Sequence, residues 1–76
     1  MTYLVLIFES THKVLKAEKL MIASGVKFDI IPTPKEFSSD CGMSIRINPD
    51  VVDWLKISRI LEENGINYLK HEKISS

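Results

Sequence analysis

The chain's only cysteine, Cys41, lies in a stretch, Ile31 to Ile47 (IPTPKEFSSDCGMSIRI), that holds several other groups able to do chemistry. A thiolate is a nucleophile and a ligand, and helix N-termini or nearby cations favour its formation. Ser38 and Ser39 offer hydroxyls to a sulfur anion or its adduct, and Gly42 lets backbone approach closely. Asp40 opposes them, because an adjacent carboxylate disfavours the thiolate. Lys35 and Arg46 are available to bring positive charge near the loop. A second cluster, Ser10-Thr11-His12, precedes an apolar helical stripe. There a hydroxyl caps the helix, and the imidazole of His12 is a candidate proton relay or donor to the sulfur. The plainer reading of His12 is an exposed first-turn residue, and that of Cys41 a small buried hydrophobe. His71, expected at the far end of the last strand, is assigned no role.

The elements that must position these groups follow from hydrophobic spacing. Tyr3–Phe8 (YLVLIF) is a short apolar run without alternation, as expected of a central strand. Ser10 or Thr11 opens a helix that runs to about Ser24, with Val14, Ala17, Leu20 and Met21 on one face. Gly25 stops it. Val26–Ile31 reads as a second strand closed by Pro32, which cannot donate to a ladder. Met43, Ile45 and Ile47 alternate with Ser44, Arg46 and Asn48 in a third strand. Asn48-Pro49-Asp50 carries the signals of a helix start. Val51, Trp54, Leu55 and Leu61 then line one face, with Ser58 as its gap. Asn64-Gly65 ends that helix, and Ile66–Lys73 is the last strand.

The chain also resembles itself at a shift of 40 residues. Val5 falls on Ile45, Ile7 on Ile47, Leu20 on Ile60, Met21 on Leu61, Gly25 on Gly65 and Val26 on Ile66. Two similar βαβ halves make a ferredoxin-like βαββαβ fold: an α+β protein with one four-stranded antiparallel sheet, order 4-1-3-2, and both helices on one face. Residues 1–76 are expected to form one such domain. Ser10-Thr11-His12 and the Thr33–Gly42 loop have no counterpart in the other half. The topology brings both to one edge of the sheet, together with the Asn64-Gly65 turn. A helix start beside Cys41 would draw its pKa below the free-cysteine value of about 8.5. If Val5 and Ile7 face the helices, Leu4, Leu6 and Phe8 form an apolar patch on the open face. Monomers usually cover such patches, so a homodimer through that face is expected.

Composition narrows the function classes. The 45% hydrophobic and 26% charged residues are ordinary for a soluble globular chain. Ten basic and ten acidic residues, with no block of either sign, argue against a nucleic-acid surface. The first apolar run is far shorter than the roughly 20 residues of a spanning helix, so no membrane segment is expected. A single cysteine forms no internal disulfide, which suits a reducing cytoplasm, and with two separated histidines it makes no zinc spacing. No cofactor is expected.

FESTHKVLKAEKLMIASGV, IPTPKEFSSDCGMSIRI and the ending ENGI closely resemble the selenium/sulfur carrier-like family of small prokaryotic proteins. Ser10-Thr11-His12, Ala17-Glu18-Lys19-Leu20, Ile31-Pro32-Thr33-Pro34 and Ser38-Ser39 with Cys41-Gly42 carry the likeness most specifically. The resemblance implies a cysteine that holds sulfur or selenium as a persulfide or selenosulfide, and Cys41 is the one available. It implies donor and acceptor proteins as partners, and a carrier rather than a turnover enzyme. The competing expectation is a ferredoxin-like binding or regulatory module acting by dimerisation or small-ligand binding. A thiol-dependent enzyme has less support, since no base and orienter pair with Cys41 beyond His12.

Overall fold

The computed structural model describes residues 2–37 and 42–74. Elements follow the order β1 (Thr2–Phe8), α1 (Thr11–Ala23), β2 (Asp29–Pro32), β3 (Met43–Ile47), α2 (Trp54–Glu63) and β4 (Tyr68–Ile74). The strands form one antiparallel sheet in the order β2-β3-β1-β4, the expected order read from its other edge. This is the ferredoxin-like α+β arrangement. No helix among the described residues is long and apolar enough to cross a membrane.

Both helices end by the same device, at positions that differ by the repeat. Gly25 and Gly65 take φ values of 71° and 67°, where a side chain on Cα is strained. Gly25 N–H donates to Ile22 and Val26 N–H to Met21; Gly65 N–H donates to Glu62 and Ile66 N–H to Leu61. These are paired Schellman stops. They also explain why the strands begin later than expected. With the Val26 and Ile66 amides tied back to the helices, the ladders open only at Asp29 and Tyr68.

The second helix starts later than expected. Asn48 does build a turn: its side chain accepts from Asp50 N–H, and its carbonyl accepts from Val51 and Val52. That turn does not propagate, because a second cap follows. Asp53 accepts from Leu55 N–H at 3.0 Å and starts α2 at Trp54. β-branched Val51 and Val52 are poor helix formers, which favours the break. The buried stripe is accordingly Ile57 and Leu61 with Trp54 packed alongside, while Leu55 and Val51 are exposed.

The strand faces also require a correction. Leu4, Leu6 and Phe8 join Val14, Ala17, Met21, Ile45, Ile47, Ile57, Leu61 and Ile66 in the helix-side core. Val5 and Ile7 therefore lie on the opposite face, paired with Arg46 and Ser44 of β3 and with His71 and Leu69 of β4. The 40-residue likeness, which set Val5 on Ile45, does not carry strand parity: Ile45 pairs with Leu6. The expected patch of Leu4, Leu6 and Phe8 on the open face does not exist, and the argument for a dimer through it falls with it. Val5 is fully buried and Ile7 nearly so, which means that something already covers that face.

Candidate functional site

The loop that contains Cys41 leaves β2 at Pro32 and rejoins the sheet at Gly42 and Met43. Its two ends are clamped together. Thr33 N–H donates to the Gly42 carbonyl at 3.0 Å, extending the β2–β3 pairing one step beyond the strands. The Thr33 and Ser44 hydroxyls lie 2.8 Å apart, and Ser44 is fully buried. This bond satisfies a hydroxyl that would otherwise be costly to bury.

From the clamp the chain turns sharply, with Phe37 N–H donating to the Pro34 carbonyl at 3.0 Å. It then reaches the far side of the sheet. The Phe37 ring stacks on His71 of β4, with centroids 4.1 Å apart and planes 20° apart. Glu36 pairs with Lys73, whose ammonium also lies 5.5 Å from the Phe37 centroid. Since β2 and β4 are opposite edges, residues 33–37 form a strap across the open face. The strap crosses the face on which Val5, Ile7 and Ser44 are buried, a face that carries no helix among the described residues.

The first helix begins at the edge where the clamp sits. Ile7 pairs with Ser44, so the residues after Phe8 and those before Met43 leave the sheet side by side. Ser10 caps α1, its Oγ accepting from Lys13 N–H at 3.3 Å. Lys13 and Val14 are the first residues to donate to Ser10, so the Thr11 and His12 amides precede the helical ladder. Thr11, His12 and Gly42 are exposed and Ser10 is half-buried. His12 borders a shallow groove with Leu15, Lys16 and Lys19, on the side of α1 turned from the core. The Asn64-Gly65 turn, which precedes β4, shares this edge. Cys41, Ser38 and Ser39 lie outside the described residues.

The two expected cations are placed differently. Arg46 bonds Asp29 at 3.0 Å and covers the Tyr3 ring on the open face. Lys35 is exposed in the turn. His71 is not at the far end of the sheet: it pairs with Val5 in mid-strand, where the strap docks. Sequence reasoning missed Thr33, Glu36, Phe37, His71 and Lys73 as a connected set. The available signal was a single aromatic, Phe37, in an otherwise polar loop, and nothing local to it names its partner.

A βαββαβ sheet with a clamped loop at the edge where its first helix starts defines the class as ferredoxin-like. Within that class, the chain belongs to the family described as "Putative Se/S carrier protein-like", whose model matches residues 3–72. The resemblance carried by the Ser10-Thr11-His12 and Cys41-Gly42 segments is thereby borne out. No curated protein matches the chain, and no solved structure does.

Proposed function

We propose that the protein carries sulfur or selenium on Cys41, accepting it from a donor protein and passing it to a recipient. The observation that carries this reading is the family match over residues 3–72 of a chain with one cysteine. In the loading step the Cys41 thiol gives its proton to solvent. The thiolate then attacks the outer sulfur of a donor persulfide, forming a new S–S bond. The donor's own S–S bond breaks, and its electron pair leaves with the donor thiolate. One sulfur moves, and no external oxidant is needed. Delivery repeats the exchange, with the recipient's nucleophile attacking the outer sulfur and Cys41 leaving as thiolate. A selenosulfide forms and discharges in the same way.

The clamp supports this reading by fixing the backbone at Gly42, the residue that follows Cys41 in the chain. The start of α1 supports it too, since amides ahead of a helical ladder favour a nearby anion. In this reading Ser10 and Thr11 hold that helix end, Ser38 and Ser39 donate to the sulfur adduct, Gly42 leaves room for it, and His12 relays the proton. A carrier needs a docking surface rather than a substrate pocket, and a lone cysteine stays available as a thiol where thiols are kept reduced, as in the cytoplasm. The test is the rate of sulfur uptake from glutathione persulfide, followed as thiocyanate released by cyanide from the reisolated protein. His12→Ala and Thr11→Ala should slow uptake more than Asn64→Ala does. Equal rates in all three would remove the helix start from the mechanism.

A further inference from the structure

β4 is an edge strand of seven residues, Tyr68–Ile74, without proline, and β1 is its one neighbour among the described strands. The opposite edge strand, β2, has four residues and ends in Pro32. Long unpaired edges are templates for pairing with another chain, and proteins normally shorten, bend or cover them. β4 is neither short nor interrupted by proline, and among the described residues the strap meets only its open-face side chains His71 and Lys73. The strand also carries exposed apolar side chains: Ile74 is 83% exposed and Leu69 63%.

We propose that β4 pairs antiparallel with β4 of a second copy, centred on His71, to make a continuous eight-stranded sheet. The strand's own sequence selects this occupant. With His71 facing the partner's His71, Lys70 stands opposite the partner's Glu72, and Glu72 opposite the partner's Lys70. Tyr68 stands opposite the partner's Ile74, and Leu69 opposite the partner's Lys73. Each of these unlike pairs occurs twice and His71 meets its own copy once on the axis, as a two-fold interface requires. Residues directly opposite across an antiparallel pair touch on the same face, so the charges attract and the apolar groups cover one another.

The protomer leaves these groups ready for that role. Glu72 is exposed and has no ion-pair partner among the described residues. Lys70 lies over Trp54 at 4.9 Å, which holds its ammonium on the helix side of the sheet, the side Glu72 shares. On the other side, Lys73 is held by Glu36 and Phe37, so its stem is in place to cover the partner's Leu69. The interface therefore uses the sheet edge, while the strap keeps the open face to itself.

Charge exchange tests this directly. The wild-type protein should sediment as a dimer as its concentration is raised to about 100 µM, a range that populates moderate associations. Lys70→Glu and Glu72→Lys should each weaken the dimer at least about tenfold, because each places like charges opposite one another. Mixing the two variants should restore a dimer, now made of unlike chains, and the double exchange K70E/E72K should restore it within one chain. Circular dichroism checks that each single variant is folded, and Ile74→Lys supplies a separate disruption at the end of the strand. In the wild type, β4 amides should exchange more slowly with deuterium as concentration rises. A monomer throughout this range, single variants that dimerise as well as wild type, or a mixture no better than its components would overturn the proposal.

Discussion

Phe37 and His71 lie ring on ring, 4.1 Å between centroids, although one follows the strand at one edge of the sheet and the other belongs to the opposite edge. This stack, with the Glu36–Lys73 pair beside it, ties the first half of the cysteine loop down across the open face. The loop is thus held at two places: at its base by Thr33 and Gly42, and at Phe37 by β4.

Removing the stack should loosen the strap and uncover Val5 and Ile7. Phe37→Ala should cost about 1.5–3 kcal/mol, less than a fully buried phenylalanine because the ring is half-buried. Urea unfolding measures the loss, with Trp54 as the fluorescent reporter. His71→Leu keeps an apolar platform and should cost less. A loss under about 0.5 kcal/mol for Phe37→Ala, the level of an ordinary surface substitution, would mean that the strap is not held by this contact.

The buried hydroxyl pair at the clamp gives a different signature. Ser44 is fully buried, and the Thr33 hydroxyl 2.8 Å away satisfies it. Thr33→Val should destabilise by about 1–2 kcal/mol, because it leaves a buried hydroxyl without that partner. Adding Ser44→Ala should recover part of the loss. A double-mutant cycle by urea unfolding should therefore show coupling of about 0.5 kcal/mol or more. Additive effects would dissolve the pair as a structural unit.

The helix stops should behave alike in the two halves. At Gly25 and Gly65 nothing lies within 4 Å of where a Cβ would stand, so alanine meets no clash there and its cost is backbone strain alone. Gly25→Ala and Gly65→Ala should each lower stability by about 1–2 kcal/mol, and asparagine at either position should cost less. Thermal unfolding of the two alanine variants checks the equality. A large cost in one half and none in the other would show that the two stops are not equivalent.

Much of the fold was legible because its punctuation is local. Gly25 and Gly65 stop helices whatever surrounds them, and Ser10 caps α1 from its own sequence position. Strand parity was not legible, because β1 is apolar at every position from Tyr3 to Phe8. Only its register against Ile45 and Ile47 sets Leu4 and Leu6 toward the helices. The start of α2 was misplaced because Asn48 and Asp53 both cap turns, and sequence alone does not say which turn propagates. At the candidate site, the expected meeting of Cys41 with Glu9–His12 lies outside the described residues, while the frame for it was legible: β1 ends and β3 begins side by side at the edge where Ser10 caps α1. The strap was hidden because the partner of Phe37 lies far along the chain, on the last strand.

The carrier reading rests on Cys41, and intact-mass spectrometry addresses it most directly. Protein incubated with glutathione persulfide and then freed of small molecules should gain about 32 Da, the mass of one sulfur held as a persulfide. Dithiothreitol should remove the gain. Cys41 is the only cysteine, so Cys41→Ser should show no gain while its circular dichroism stays that of the wild type. A wild-type protein that gains no sulfur, or a Cys41→Ser variant that gains as much, would contradict the account.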